Sequence, residues 1–230
     1  MAKTALITGG TGGLGAAVTD RLLGDGWHVV VPWVVESELE RVPERDRLRL
    51  IRADLFDPDS VAEVVSAASG DDQAPLHGIA NLVGGFDAPG RVHEVPIERF
   101  EEQFRLNLRA TYLVTQAALP HLIDGGGGSI VCVGTRAALT PFSGAAGYAA
   151  SKAAVLAFAK ALAVEYRDQG IRCNAILPSV IDTPANRRAM PKSDHDRWVK
   201  PAEIAAVIAH LLSEDAAATS GALVPVYGRA

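Results

Sequence analysis

The sequence predicts an α/β fold with a doubly wound parallel sheet of about seven strands and helices on both faces. Three observations support this prediction. Short apolar runs alternate with longer helical stretches along the whole chain. Several runs are almost continuous Val, Ile and Leu, which is typical of strands covered on both faces. Glycines separate the first run from the first helix, and strands that alternate with helices imply right-handed crossovers between parallel strands.

The predicted elements follow from these runs in chain order. Strands are predicted at 4–8, 27–31, 48–52, 79–83, 129–133, 172–177 and 223–226. Helices are predicted at 13–23, 60–68, 97–122, 148–169 and 201–212. Prolines bound segment 184–200, which has no clear periodicity, and long loops of this kind often act as lids. No repeat or linker divides the chain, so residues 1–230 are predicted to form one domain.

Composition excludes several classes of function. The 230 residues carry a formal charge of -5, which argues against nucleic acid or an anionic membrane as partner. No apolar run approaches the roughly 20 residues that a bilayer requires, and the first residues lack the apolar region of a signal peptide, so a cytoplasmic protein is expected. Cys132 and Cys173 are expected to be buried reduced thiols. The six histidines show no ligand spacing, and no metal is predicted.

The first predicted strand leads directly into Thr8-Gly9-Gly10-Thr11-Gly12-Gly13-Leu14-Gly15 and then into a helix. Glycines at this position let the backbone turn tightly and approach a pyrophosphate, whose charge then meets free N–H groups at the helix N-terminus. A tight turn that packs without any ligand would also use glycines. The position of the cluster, in the first strand-to-helix turn of an alternating chain, favours dinucleotide binding.

The end of the second strand normally determines which dinucleotide binds. An acid there holds the adenosine ribose hydroxyls and repels a 2′-phosphate, whereas a nearby Arg does the reverse. Trp33 occupies the acid position, Val34 follows it, and Glu36 lies too far along the chain to substitute. The sequence therefore leaves NAD and NADP open and slightly favours NADPH. Trp33 would stack on the adenine or form an apolar rim.

Asp54 and Leu55 follow the third predicted strand. Asp54 is well placed to accept a hydrogen bond from the adenine amino group, and it could also be a turn former.

Tyr148 and Lys152 lie four residues apart near the start of a long predicted helix and therefore share one face. Lowering a tyrosine pKa from ~10 by ~3 units takes about 4 kcal/mol, which a lysine ammonium and an oxidised nicotinamide could supply. Thr135, just beyond strand 129–133, could hold a substrate oxygen together with Tyr148. Asn107 could place a water that connects Lys152 to solvent, or it could be a satisfied core amide.

Together these residues resemble the short-chain dehydrogenases/reductases (SDRs) over essentially the whole chain. The resemblance implies a Rossmann-type fold and hydride transfer between NAD(P) and a small carbonyl or alcohol substrate, with Tyr148 as acid/base. Asn81-Leu82-Val83-Gly84 stands in place of the family's Asn-Asn-Ala-Gly segment, and residues 178–183 resemble its Pro-Gly segment. The implied catalytic residues are Asn107, Thr135, Tyr148 and Lys152. The implied cofactor-binding residues are Gly9, Thr11, Gly12, Gly13, Leu14, Gly15, Trp33, Asp54, Leu55, Asn81, Val83, Gly84, Tyr148, Lys152, Pro178, Val180, Ile181 and Thr183.

Thr135 replaces the family's serine, which keeps the hydroxyl but stiffens the rotamer, and Ser179 replaces a glycine. A narrower resemblance links the C-terminal half to the dihydropteridine reductase branch, which reduces a C=N system. Two other classes stay open, a non-catalytic nucleotide-binding regulator and a scaffold subunit, although neither needs both Tyr148 and Lys152. The resemblance also implies a homodimer or homotetramer that uses helices 97–122 and 148–169. The substrate pocket is expected beneath segment 184–200, with candidate walls at Phe86, Phe142, Met190 and Trp198.

Overall fold

A computed structural model describes residues 2–229, and these residues form a seven-stranded parallel sheet of order β3-β2-β1-β4-β5-β6-β7. Met1 and Ala230, which the predicted domain includes, lie outside the described residues. The strands are β1 (Thr4–Thr8), β2 (His28–Trp33), β3 (Leu48–Arg52), β4 (Leu76–Asn81), β5 (Gly128–Val133), β6 (Ile171–Pro178) and β7 (Leu223–Val226). The strand order reverses between β1 and β4, and ligands of open α/β sheets bind at this switch point.

Helices cover both faces of the sheet. They are α1 (Gly15–Gly24), α2 (Pro58–Ser69), α3 (Ile97–Phe104), α4 (Ala110–Asp124), α5 (Ala146–Glu165), α6 (Pro184–Ala189) and α7 (Pro201–Leu212). Buried side chains of α2, α4 and α5 pack with Leu6 on one face, and those of α1 and α7 pack with Ile7 on the other. Because neighbouring residues of β1 point to opposite faces, both cores begin in this central strand. The predicted fold class is confirmed.

The long helix predicted at 97–122 contains a local irregularity. A π-helical turn, Arg105–Arg109, separates α3 from α4 and carries Asn107 at its centre. Such turns are rare and occur frequently at functional sites. The alternation of apolar residues did not reveal this turn, because one extra residue per turn leaves the average helical periodicity almost unchanged.

Two other segments are more ordered than the sequence predicted. Segment 184–200 contains α6 and a short 3₁₀ turn, His195–Arg197. A 3₁₀ helix, Glu36–Arg41, follows β2, where no element was predicted. The chain beyond β2 therefore folds back toward the glycine-rich turn.

One expectation about composition was wrong. Helix α5 has the length and apolar composition of a membrane-spanning helix, although 44% of its most apolar stretch is buried inside the fold. A helix that packs its apolar residues against a sheet has the same composition, and α5 packs against β5 and β6.

Candidate active site

An open cleft of about 370 Å³ lies at the carboxyl ends of β1, β2, β3 and β4. It brings together most of the predicted cofactor-binding residues: Gly9, Thr11, Gly12, Gly13, Leu14, Gly15, Trp33, Asp54, Leu55, Val83 and Gly84. Pro32, Val34, Glu38, Ala53, Phe56 and Leu82 complete the lining. The lining residues follow the ends of four neighbouring strands, and ligands of open α/β sheets bind at this edge.

Glycines form the floor of this cleft for steric reasons. Gly9 adopts φ +65°, a left-handed conformation that favours glycine. A Cβ atom on Gly15 would overlap the carbonyl oxygen of Gly9, so only a glycine fits where α1 begins. No side chain caps the N-terminus of α1. The glycine-rich turn and Gly15 line the cleft at this helix N-terminus, and a pyrophosphate fits this cradle.

Thr8 joins the two strands at the switch point. Its hydroxyl oxygen accepts hydrogen bonds from the amides of Leu82, at 3.0 Å, and Val83, at 3.3 Å. This contact holds the segment after β4 beside the glycine-rich turn. Asp54 lines the cleft and also accepts from the amide of Phe56 at 2.9 Å, so it forms a turn as well.

Several predicted cofactor-binding residues lie away from the cleft lining. Asn81 is 1% exposed, and its amide donates to Thr115 of α4 at 3.1 Å, so its side chain points into the core. Pro178 ends the buried strand β6, and Ile181 pairs with Val199 in an isolated bridge. Thr183 lies against the glycines, since a Cβ on Gly13 would stand 3.0 Å from its methyl carbon. Val180 accepts from the amide of Val199 at 3.1 Å through its carbonyl oxygen.

The four predicted catalytic residues form a second cluster. Tyr148 and Lys152 lie on the first turns of α5, and Thr135, just beyond β5, forms a side-chain hydrogen bond with Tyr148. Lys152 is 5% exposed, and its ammonium donates to the carbonyl oxygen of Val133 at 2.9 Å. The amide of Gly85 donates to Asn107 Oδ1 at 3.0 Å.

Ser151 was absent from the predicted site, although it stands between Tyr148 and Lys152 in the sequence. It is fully buried, accepts from Asn107 Nδ2 at 3.1 Å and donates to the carbonyl oxygen of Tyr148 at 2.9 Å. One hydroxyl thus connects the π-helical turn to α5. A serine inside an apolar helix was the only sequence signal for this role.

Gly84 joins the cluster to the cleft. It lines the cleft, and a Cβ at this position would stand 2.7 Å from Asn107 Oδ1 and 2.8 Å from Lys152 Nζ. The absent side chain lets both polar groups approach the backbone. The cleft and the four predicted catalytic residues therefore form one continuous site.

The ionisation of Tyr148 differs from the expectation. Burial raises the pKa of Tyr148, and the hydrogen bond with Thr135 only partly opposes this rise. Lys152 does not lower it here, because the ammonium donates to Val133 instead of the phenol. Burial also lowers the pKa of Lys152 to about 8. A lysine with this pKa can exchange a proton close to neutral pH.

Comparison with known proteins determines the family. Residues 3–194 match the family model described as short chain dehydrogenase. This chain belongs to the short-chain dehydrogenase family. It is 30% identical to 2-(R)-hydroxypropyl-CoM dehydrogenase from Xanthobacter autotrophicus, with 99% of this chain and 98% of that protein covered.

Solved structures give the same assignment. Levodione reductase is 28% identical, with a TM-score of 0.89 and coverage of 98% of this chain and 96% of that one. A 3-ketoacyl-(acyl-carrier-protein) reductase from Brucella melitensis, solved in complex with NADH, is 29% identical, with a TM-score of 0.88 and coverage of 99% and 98%. The predicted short-chain dehydrogenase family is confirmed, and the chain has the Rossmann-like fold of these oxidoreductases.

In this short-chain dehydrogenase, one aromatic ring packs on Tyr148 and a second packs on the first. Phe86 packs edge-on to Tyr148 with 5.0 Å between ring centroids, and Phe142 lies 6.2 Å from Phe86. Both phenylalanines are more than half exposed, so they are available as pocket walls. The prediction that Trp198 forms a wall of the substrate pocket is wrong, because Trp198 is 6% exposed and packs against His195. Met190 is partly buried.

Asp182 fixes segment 184–200 at both ends. Its carboxylate accepts from Arg187 of α6 at 2.5 and 2.9 Å and from Lys200, just before α7, at 2.6 Å. Hydrogen bonds from Arg187 and then Lys200 hold the pKa of Asp182 well below its usual range. The carboxylate of Asp182 therefore ties α6 to the start of α7, beside the backbone hydrogen bonds between Val199 and residues 180–182.

Proposed function

We propose that this chain catalyses hydride transfer between NAD(H) or NADP(H) and a small, apolar ketone or secondary alcohol. The observation that carries the proposal is the hydrogen bond between the side chains of Tyr148 and Thr135. Lys152 and Asn107 contact Gly84, which lies at the edge of the glycine-lined cleft. The residues around the cleft fit a dinucleotide, which would supply or accept the hydride when bound. Every other part of the reaction is proton chemistry of the protein.

In the reductive direction, Tyr148 acts as the general acid. The substrate carbonyl oxygen accepts hydrogen bonds from the hydroxyls of Tyr148 and Thr135. The carbonyl carbon gains the hydride, the C–O π bond breaks, and the phenol transfers its proton to the oxygen, which leaves an alcohol and a phenolate. In the oxidative direction the phenolate accepts the alcohol proton. The raised pKa of Tyr148 favours the protonated form, which suits the acid role.

Lys152 and Asn107 support proton exchange at Tyr148. The ammonium of Lys152 donates to Val133 and not to the phenol, so its proposed role is proton supply. Its pKa of about 8 lets it release a proton when the phenol must be restored. Asn107 is held by Gly85 and Ser151, so its amide is fixed beside Lys152. A water on this amide would connect Lys152 to solvent.

The pocket beside Tyr148 favours an apolar substrate. Phe86 is exposed and packs on the Tyr148 ring, and the exposed Phe142 lies next to Phe86. The names of the relatives describe hydroxyl and keto substrates, which supports a carbonyl over an imine. Reduction of a dihydropteridine C=N system stays a prediction from the narrower sequence resemblance.

Self-association through α4 and α5 is part of the proposal. Tyr112 and Val164 are 46% and 67% exposed on these helices, and Tyr112 packs on Phe158. We expect light scattering to give the mass of a homodimer or homotetramer. A monomeric mass at micromolar concentration would contradict this part alone.

Tyr148→Phe is the test of the reaction. We expect turnover of a carbonyl panel to fall about 1,000-fold, because the proton donor is lost. Nucleotide affinity should stay within about twofold, because the phenol hydroxyl adds no charge to the cleft. The panel is read by the absorbance of reduced nicotinamide, and affinity by tryptophan fluorescence.

Tyr166→Phe removes the same hydroxyl just beyond the C-terminal end of α5 and serves as the matched control. Equal losses in both variants, or loss of nucleotide binding together with turnover in Tyr148→Phe, would contradict the role of Tyr148. A wild-type chain that binds the nucleotide and reduces none of the panel would support the non-catalytic regulator.

A further inference from the structure

Glu38 lines the glycine-lined cleft, although nothing in the sequence indicated that the segment after β2 reaches this cleft. It lies five residues after Trp33, on the 3₁₀ helix Glu36–Arg41. This helix folds over the glycine-rich turn, and the hydroxyl of Thr11 donates to Glu38 Oε2 at 2.9 Å. The side chain of Glu38 is 32% exposed and forms part of the cleft wall beside Trp33 and Val34.

Arg41 is the cation closest to this carboxylate, and it is already engaged. One guanidinium nitrogen lies 3.0 Å from Glu38 Oε1 and donates to the carbonyl oxygen of Thr11 at 3.1 Å. Arg41 is not part of the cleft lining, whereas Glu38 is. The ion pair therefore fixes the carboxylate of Glu38, which lines the cleft, while the guanidinium of Arg41 lies outside the lining.

The charges of the cleft wall have one sign. The lining contains two carboxylates, Glu38 and Asp54, and within residues 2–229 it contains no lysine or arginine. A phosphate on the adenosine ribose carries close to two negative charges at neutral pH, and it would meet these carboxylates in a partly enclosed space. Free ribose hydroxyls would instead find an acceptor in the carboxylate of Glu38.

We infer that Glu38 replaces the acid missing at Trp33: it accepts hydrogen bonds from the adenosine ribose and makes this dehydrogenase select NADH over NADPH. The inference rests on the proposed function, because it takes the cleft to hold a nicotinamide dinucleotide. It reverses the slight preference for NADPH that Trp33 and Val34 suggested. The sequence did not reveal this role, because the number of residues after β2 does not show that the 3₁₀ helix folds back over the glycine-rich turn.

The test compares NADH and NADPH binding to the full chain by tryptophan fluorescence and by the shift in melting temperature. We expect the wild type to bind NADH at least about tenfold more tightly than NADPH at low salt. Glu38→Gln should bind NADPH about tenfold more tightly than the wild type and NADH several-fold more weakly. Higher salt should reduce the wild-type discrimination, since it screens partly exposed charges.

Glu40→Gln is the matched control, because Glu40 is an exposed acid of the same 3₁₀ helix and lies outside the cleft lining. We expect its NADH-to-NADPH affinity ratio to stay within about twofold of the wild type. Equal shifts in both variants, or a wild type that prefers NADPH, would overturn the inference and leave the proposed function intact. Failure of the folded wild type to bind either nucleotide would instead overturn the proposed function.

Discussion

The glycine-lined cleft and the proposed catalytic cluster use the polypeptide in different ways. The floor of the cleft is mainly backbone, with glycines where a Cβ atom would overlap the neighbouring turn. The cluster is built from side chains of the π-helical turn, the end of β5 and α5, and three of its members are at most 5% exposed: Asn107, Ser151 and Lys152. A site built from backbone depends on the absence of Cβ atoms at its glycines. A buried polar cluster instead depends on the presence of every hydrogen-bond partner.

The largest loss of stability and nucleotide binding is expected when one carbon is added to the cleft floor. In Gly15→Ala the new Cβ overlaps Gly9, so we expect a loss of about 3 kcal/mol in the free energy of unfolding and no measurable nucleotide binding. Gly24→Ala, at the other end of α1, has no atom within 4 Å of its Cβ and should change stability by less than about 1 kcal/mol. Urea unfolding and nucleotide titration compare the two variants. Normal binding by Gly15→Ala would show that the turn can rearrange.

At the catalytic cluster, removal of one charge should affect chemistry more than folding. Lys152→Met fills the buried space of the lysine stem but removes the ammonium, so we expect turnover to fall about 1,000-fold. The nucleotide should still bind through the glycine turn. Steady-state kinetics with the same carbonyl panel measures the loss. Lys160→Met on the same helix is the control and should keep wild-type turnover.

The buried lysine also predicts a pH dependence of stability. Burial lowers the pKa of Lys152 from 10.5 to about 8, so between these values the unfolded chain holds a proton that the folded chain has released. The free energy of unfolding of the wild type, relative to Lys152→Met, should therefore rise by about 3 kcal/mol from pH 8 to pH 10.5. Denaturant unfolding at both pH values measures this difference. Parallel pH profiles would contradict the burial of the ammonium.

The hydroxyl of Thr135 gives a smaller and more specific test. Thr135→Val keeps the shape of a residue that is 8% exposed but loses the bond to Tyr148, and we expect turnover to fall about 100-fold. Thr135→Ser keeps the hydroxyl and should stay within about threefold of the wild type. Equal activity of the valine and serine variants would show that Tyr148 alone holds the substrate oxygen.

The smallest expected effect concerns the clamp on segment 184–200. Asp182→Asn removes the charge that holds Arg187 and Lys200, so amide hydrogen exchange in this segment should increase about threefold. Asp196→Asn makes the same charge change at an exposed position of the segment and should leave exchange unchanged. If both variants exchange equally, the segment is held by packing rather than by Asp182.

The two regions also differ in how well the sequence predicted them. The glycine turn was recognisable because its requirement is local: a left-handed Gly9 and close contact at Gly15 can be met only by glycine. Tyr148 and Lys152 were recognisable because helical spacing places residues four apart on one face. Ser151 was missed because its role depends on Asn107, which belongs to another helix.

The sequence by itself determined the alternation of strands and helices, the glycine turn and the tyrosine–lysine pair, because periodicity and backbone sterics act between residues close in the chain. The tertiary structure alone decided that Asn107 lies on a π-helical turn, that Trp198 is buried and that Asp182 joins α6 to the start of α7. It also decided that Glu38 reaches the cleft wall. Each of these depends on which distant segments pack together, and the free energy of that packing is a property of the whole fold.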